Sequence, residues 1–193
     1  MKYSFEQFPV LENQDLVLRE LEESDAPDYF AYLSKPAMYP FVVSTNIPHN
    51  MDKARDELMF WRGLFEQKYS IYWGITHRDD NKLVGTVGFN YIMQHSCKAE
   101  LSYDLNESFW GRGIMTKALQ AVIKFSDEVL KIVRLQATVL IYNKGSIKVL
   151  EKCGLQREGQ LRQYEYMRGA HVDSFMYSRI NYQNAREYSA ANT

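Results

Sequence analysis

The chain has 193 residues, of which 46% are hydrophobic, 14% aromatic and 24% charged, which is the composition of a globular domain and excludes disorder. A net charge of −1 without a Lys/Arg-rich block excludes a basic surface for nucleic acid. Lys2, Glu6 and Glu12 interrupt the first apolar positions, so we expect neither a signal peptide nor a membrane span, and cytoplasmic residence is the default.

The first half of the chain predicts one strand and two helices. Residues 16–21 alternate in polarity as a strand does, and a helix capped by Ser24 should follow and end near Lys35, before Pro36. Residues 36–48 are loop-like because they contain three prolines. Residues 51–68 have apolar positions at helical spacing and predict a second helix.

Three strands should come next, over residues 70–78, 82–93 and 98–105. The first two flank the turn Asp79-Asp80-Asn81, whose residue types suit a hairpin connection. Short connections of this kind join antiparallel neighbours, so this part of the sheet is predicted to be antiparallel.

The second half predicts a βαβ unit. Residues 114–130 have one apolar face and should form a long helix, and residues 132–140 read as a β-branched strand, so the strands on either side of the helix should be parallel. A shorter helix from Ser146 to Lys152 should end at Gly154, and two last strands should meet at a turn with Gly169. We expect residues 1–182 to form one α/β domain and 183–193 a polar tail that frays or forms a loose helix.

The stretch FWGRGIMTKAL raises the question of a bound ligand. Gly111 and Gly113 precede the long predicted helix, whose first backbone N–H groups have no partner within the helix. Such a turn allows a phosphate to approach the chain closely. A plain turn before a helix explains the two glycines equally well.

The order of several segments resembles the GCN5-related N-acetyltransferase (GNAT) superfamily, and especially its branch of ribosomal-protein N-terminal acetyltransferases. The resemblance covers roughly residues 14–180. It rests on KLVGTVGF, KAELSYDL, FWGRGIMTKAL, VRLQATV, NKGSIKVLEKCGL and GQLRQYEYMRGAHVDSFMYS in this order. It implies the GNAT fold, a mixed and mostly antiparallel sheet that has one parallel, splayed pair of strands and flanking helices.

The resemblance implies acetyl-CoA as the co-substrate. In the family, the pattern [QR]xxGx[GA] binds the pyrophosphate through backbone N–H groups at the start of the central helix. Two positions depart from it, because Trp110 replaces Gln or Arg and Met115 replaces a small residue. Arg112 could contact a phosphate or be solvated. The cofactor-binding positions implied around this loop are Trp110, Gly111, Arg112, Gly113, Ile114, Met115 and Thr116.

The family also implies where the reaction occurs. The acetyl-pantetheine arm lies in the gap between the splayed strands, so the backbone of Leu101, Ser102 and Tyr103 should face the thioester. Glu100 matches a position at which several members place a carboxylate that takes the proton of the amine, and we predict it as the base. The competing interpretation is a glutamate that is only solvated or salt-bridged.

A proton donor for the thiolate is implied on the following helix. Many members use a tyrosine where this chain has Leu150, but the branch resembled here has a serine that matches Ser146. Asn143 should bind the pantetheine amide. Both residues also suit helix capping, and the sequence leaves that interpretation open.

The remaining candidates concern the amine acceptor. Tyr39, Phe41, Trp61 and Tyr72 could line its pocket or pack in the core. Acidic residues of the first half could attract a cationic acceptor or be solvated; they include Glu22, Glu23, Asp52, Asp56 and Glu57. The histidines and the two cysteines have no metal-binding spacing, so no metal site is predicted.

The sequence therefore predicts an acetyl-CoA-dependent N-acetyltransferase that moves an acetyl group directly to a primary amine, on a protein N-terminus or a small molecule. The alternatives are a non-catalytic CoA-binding sensor or interaction module, favoured by Leu150 and Met115, and a structural α/β protein without a CoA site. Related proteins are often homodimers, and the sequence leaves the oligomeric state open.

Overall fold

The structure is a computed structural model, which describes residues 7–13, 15–43 and 46–191. Its centre is one eight-stranded sheet in the order β1-β2-β3-β4-β5-β6-β8-β7. Only β5 and β6 pair in parallel, and the other neighbours are antiparallel. The strands are β1 (Leu11–Glu12), β2 (Leu16–Arg19), β3 (Tyr72–His77), β4 (Leu83–Met93), β5 (Lys98–Leu105), β6 (Arg134–Leu140), β7 (Gln156–Met167) and β8 (Ala170–Ile180).

Five α-helices accompany the sheet within the described residues: α1 (Ala26–Leu33), α2 (Met51–Glu66), α3 (Ile114–Glu128), α4 (Lys144–Lys152) and α5 (Tyr182–Ala191). α3 connects β5 to β6, which completes the predicted βαβ unit. None of the described helices is long and apolar enough to cross a membrane.

Two apolar clusters hold these elements together. The main core lies between the sheet and α3, where the Trp73 ring meets Phe89 and Phe125 edge to face at 6.0 and 5.5 Å. The second cluster lies around α1 and α2 and contains Tyr29, Tyr32, Leu58 and Tyr72. The second cluster places aromatic side chains from α1, α2 and β3 beside β5.

The predicted fold class is confirmed, and the differences have local causes. The fourth helix begins at Lys144 rather than Ser146, because the Asn143 side chain accepts a hydrogen bond from the Ser146 N–H and caps the helix. Ser146 therefore lies inside the first helical turn. Strand β1 was not predicted, since two residues give no periodic signal.

The C-terminal segment forms α5, which is anchored to the rest of the chain. The Asn184 side chain is 5% exposed and donates to the carbonyls of Asp127 and Ile132, both at 3.0 Å. The Tyr188 hydroxyl donates to the His95 carbonyl at 2.8 Å. The segment that we expected to fray or to form a loose helix is thus a helix that these contacts anchor.

Candidate active site

A gap in the sheet lies between β5 and β6. The two strands pair only from Lys98 opposite Arg134 to Glu100 opposite Gln136. Beyond that point β5 pairs with β4 and β6 pairs with β8. A cavity of about 360 Å³, here called the acceptor cavity, is lined by residues 101–104 of β5 and 137–140 of β6. The splayed pair predicted from the sequence is therefore present.

A second cavity of about 400 Å³, here called the donor groove, lies at the start of α3. Gly111 and Gly113 have φ angles of +75° and +77°, which favour glycine, and a Cβ atom placed at either would meet no described atom within 4 Å. The first bond of the helix joins the Lys117 N–H to the Gly113 carbonyl at 3.0 Å. The preceding N–H groups thus have no partner within the helix and face a site suited to an anion.

The other predicted loop residues have different surroundings. The Trp110 indole N–H donates to the Leu105 carbonyl at 2.8 Å, which fixes the loop to the end of β5. Met115 is 5% exposed and packs in the main core. The Arg112 guanidinium lies over the Phe109 ring at 5.4 Å and is not among the residues that line the groove. Trp110, Ile114, Met115 and Thr116 do line it.

Two lysines of the donor groove were missed by the sequence analysis. Lys148 and Lys152 line it from α4, across from the glycine turn. Their spacing of four residues places them on one face of the helix, a signal that was available in the sequence. With the unpaired N–H groups of α3, they make the groove suitable for a phosphorylated ligand.

Both cavities share a junction formed by β5 and α4. Tyr103, Asp104, Asn143 and Ser146 line the donor groove and the acceptor cavity alike. The hydroxyl oxygens of Tyr103 and Ser146 are 2.7 Å apart, and either can be the donor. Burial raises the pKa of Tyr103 and keeps its hydroxyl protonated. Asn143 both caps α4 and reaches the junction, so capping does not exclude a ligand contact.

Glu100 lies at the last paired position of β5 and β6. It is 9% exposed, which differs from the solvated glutamate of the competing interpretation. Its carboxylate accepts hydrogen bonds from Asn90 at 3.1 Å, Tyr91 at 3.1 Å and Gln136 at 2.9 Å. Asn90 lines the acceptor cavity and Glu100 does not, so Glu100 lies behind Asn90.

Three other carboxylates line the acceptor cavity: Glu57 of α2, Asp104 of β5 and Glu165 of β7. Burial raises the pKa of Glu57 to about 7, although the nearby Tyr29 and Trp61 side chains act to lower it. Burial also raises the pKa of Asp104, which accepts hydrogen bonds from Tyr32 and Thr86. Burial, followed by the negative charge of Glu100, raises the pKa of Glu165.

A bulge in β7 precedes Glu165, which lines this cavity. Leu161 lies opposite Ser174, whereas Glu165 lies opposite Val172, so β7 contains extra residues between these pairs. Gln163 has a φ angle of +53° within the bulge, and its N–H donates to the Asp173 carboxylate at 2.8 Å. Leu161 and Glu165 are four residues apart, so a period-two pattern already places them on one face of β7, but it could not show that this face borders the cavity.

Of the aromatic residues predicted for the acceptor pocket, three line the cavity and one does not. Phe41, Trp61 and Tyr72 line it, and the last two rings stack at 3.9 Å with an interplanar angle of 32°. Tyr39 lies outside, where its hydroxyl donates to the Ser34 carbonyl at 3.1 Å. Leu150 is fully buried in the main core, so position 150 contributes packing.

Across residues 7–13, 15–43 and 46–191, no group of His, Cys, Asp and Glu side chains could hold a metal ion. Cys97 and Cys153 are both free, and burial raises the pKa of Cys153 to about 11, so this thiol stays protonated.

The mixed sheet with its splayed parallel pair and the two adjoining cavities are typical of an acetyltransferase. The comparison with known families agrees with this class. Residues 15–156 match the acetyltransferase (GNAT) domain family. The chain belongs to this family, as an N-acetyltransferase for which acetyl-CoA is the acetyl donor.

Individual relatives cover nearly the whole chain. The uncharacterized N-acetyltransferase YoaA of Bacillus subtilis is 32% identical over 89% of this chain and 96% of its own length. The uncharacterized N-acetyltransferase p20 of Bacillus licheniformis is 32% identical over 93% and 98%. Among solved structures, RimL, a ribosomal L7/L12 alpha-N-protein acetyltransferase in complex with coenzyme A, is 26% identical, with a TM-score of 0.80 over 89% of this chain and 98% of that one.

Proposed function

We propose that this protein transfers an acetyl group directly from acetyl-CoA to a primary amine, which reaches the thioester through the acceptor cavity. The observation that carries this proposal is the junction, where Tyr103, Asn143 and Ser146 line both cavities. Two ligands that enter from opposite sides would meet there, so no covalent enzyme intermediate is needed. The likeness to RimL, named for a protein N-terminus, supports an amine acceptor.

The donor groove suits the phosphorylated part of acetyl-CoA. The open turn at Gly111 and Gly113 leaves space for a pyrophosphate beside the N–H groups of Ile114, Met115 and Thr116. Lys148 and Lys152 add positive charge on the opposite side. Bound acetyl-CoA supplies a thioester, whose carbonyl carbon is the electrophile. Leu101, Ser102 and Tyr103, which line the gap, are the proposed contacts for the acetyl-pantetheine arm.

The chain's own residues manage the protons of the reaction. The amine nitrogen forms a bond to the carbonyl carbon and the carbon–sulfur bond breaks. A carboxylate of the acceptor cavity takes the proton of the amine, and we favour Glu165, since it lines the cavity and burial raises its pKa. Glu100, the base predicted from the sequence, is a weaker candidate because Asn90 lies in front of it.

The leaving sulfur takes its proton through the hydroxyl of Ser146. Tyr103 replaces that proton through the 2.7 Å contact, and solvent finally restores it to Tyr103. Asn143 holds the Ser146 N–H at 3.1 Å and thereby fixes the serine in the first turn of α4. A tyrosine at position 150 is then unnecessary, because Tyr103 reaches the junction from β5 instead.

The test is the release of thiol from acetyl-CoA over a panel of primary amines, with the product identified by mass spectrometry. We expect N-acetylated product in equal amount to free CoA, and lower turnover for Ser146→Ala. Ser189→Ala on α5 is the matched control, since Ser189 lies outside both cavities. Binding of acetyl-CoA without turnover on any amine would favour the sensor module instead. Residence in the cytoplasm remains an expectation that cell fractionation would test. A homodimer is likewise an expectation, which light scattering would test.

A further inference from the structure

The acceptor cavity has an unbalanced charge. Its lining includes the carboxylates of Glu57, Asp104 and Glu165 but no Lys, Arg or His. Within the described part of the chain, none of the three has a cationic side chain at ion-pair distance. The side chains that donate hydrogen bonds to Asp104 are the neutral groups of Tyr32 and Thr86. A buried carboxylate without a cation is unfavourable, so a cationic ligand would stabilise this cavity.

A second observation in the cavity also indicates a ligand. Ser174 of β8 lines it, and the residue is almost completely buried, at 1% exposure. Its oxygen has no hydrogen-bond partner among the described residues. Buried hydroxyl groups nearly always have a partner, and an N–H group of a ligand would supply one.

The walls of the cavity favour a cation with an aliphatic body. The stacked rings of Trp61 and Tyr72 lie next to Glu57, and Phe41 lines the same space. Aromatic faces attract ammonium and guanidinium groups and pack against methylene groups. A volume of about 360 Å³ accommodates one small amine or the first residues of a peptide.

Apart from Asp104, which lines both cavities, the charged side chains of the two cavities have opposite signs. Lys148 and Lys152 line only the donor groove, where phosphates are expected, and Glu57 and Glu165 line only the acceptor cavity. This separation favours an anionic donor on one side and a cationic acceptor on the other. A carboxylate attached beside the reacting amine would add a fourth negative charge to the acceptor cavity, so free amino acids should be poor substrates.

We propose that the acceptor cavity selects a primary amine that carries a second cationic group and has no carboxylate beside the reacting nitrogen. The inference rests on the proposed function and names its acceptor class. A polyamine and a peptide whose first residues include lysine or arginine share this chemistry. In either case Glu57 binds the second cation, because it lines the cavity together with the Tyr29 and Trp61 side chains.

The test compares matched amines by thiol release at saturating acetyl-CoA. We expect kcat/KM for cadaverine to exceed that for pentylamine by at least about tenfold, which is the effect of one ion pair of about 1.4 kcal/mol. Lysinamide should likewise exceed lysine. Two peptide amides, one that begins Ala-Lys and one that begins Ala-Glu, distinguish a peptide acceptor from a polyamine. If the acceptor is a peptide, the Ala-Lys peptide should be preferred to cadaverine.

The variant Glu57→Gln should reduce the ratio of cadaverine to pentylamine toward one. Glu66→Gln is the matched control, since Glu66 lies on the same helix, is exposed and does not line the cavity. A ratio near one for the unmodified protein, a ratio unchanged by Glu57→Gln, or a preference for free amino acids would overturn the inference while leaving acetyl transfer intact.

A binding measurement keeps the inference testable if no amine is acetylated. Calorimetric titration of the CoA-loaded protein with cadaverine and with pentylamine does not depend on turnover. Tighter binding of cadaverine that is lost in Glu57→Gln would support an acceptor with a second cationic group, even though the proposed transfer had failed. Equal binding of the two amines, or no binding of cadaverine, would overturn it.

Discussion

The hydroxyl oxygens of Tyr103 and Ser146 lie 2.7 Å apart at the junction of the two cavities. One residue belongs to β5 and the other to α4, so the contact joins the strand that splays from β6 to the helix that lines the donor groove. A hydrogen bond from Tyr103 leaves the Ser146 proton free to point at a ligand. The pair therefore offers the proton donor that Leu150 cannot provide.

Removing the Tyr103 hydroxyl should slow turnover, because Ser146 then loses the group that replaces its proton. We expect Tyr103→Phe to lower kcat by about tenfold, within the range for a group that assists proton transfer, without changing the KM for acetyl-CoA. Steady-state kinetics of Tyr103→Phe, Ser146→Ala and the double variant would measure the coupling. The two losses should not add, since both groups act on one proton. Strictly additive losses would contradict the proposed relay.

The raised pKa of Glu57 predicts a pH dependence of stability. Its pKa is about 7 in the folded protein against 4.5 in the unfolded chain, so the folded state binds the proton more tightly. The free energy of unfolding should thus fall as pH rises from about 4.5 to about 7, by roughly 1–2 kcal/mol after allowance for solvent screening of this half-buried group. Of the groups near this carboxylate, Asp104 raises its pKa further, whereas Tyr29 and Trp61 lower it.

Urea unfolding of the unmodified protein and of Glu57→Gln at several pH values would check this dependence. The glutamine cannot ionise, so the fall in stability over this interval should be smaller in the variant. The same slope in both proteins would mean that other groups determine the pH dependence.

Gly88 is predicted to be necessary for the wall of the acceptor cavity. A Cβ atom at this position of β4 would lie 2.4 Å from the Ile71 carbonyl oxygen and 2.6 Å from the Tyr72 ring, closer than packed atoms allow. Gly88→Ala should lower the free energy of unfolding by about 1–3 kcal/mol, as expected for overpacking. Gly159→Ala is the control because a Cβ atom there meets no described atom within 4 Å. Equal stability of the two variants in urea would show that β3 and β4 can separate.

Much of the fold could be predicted because its elements follow simple periods. The predicted strand 98–105 matches β5 in full, and the amphipathic pattern from Ile114 locates α3. The glycine turn and the capping residue Asn143 also gave clear signals, since each has a local physical cause. Short or irregular elements such as β1 could not be found in this way.

The acceptor cavity could be predicted only in part, because it is assembled from distant segments. Among the acidic residues considered as attractants, only Glu57 lines it. Asp104 and Glu165, the other two carboxylates of the lining, were not singled out. Glu100 was chosen from its position on a strand, but the structure shows the carboxylate surrounded by Asn90, Tyr91 and Gln136. Burial and tertiary contacts of this kind leave no periodic signal.

Calorimetric titration with acetyl-CoA, on the unmodified protein and on Gly113→Val, tests the central claim most directly. Gly169→Val is the matched control, because Gly169 has a φ angle of +83° and an open Cβ position like Gly113, but lies in the turn between β7 and β8. We predict that the unmodified protein and Gly169→Val bind acetyl-CoA and that Gly113→Val does not. Absence of binding by the unmodified protein, or equal binding by all three, would contradict the assignment of the donor groove.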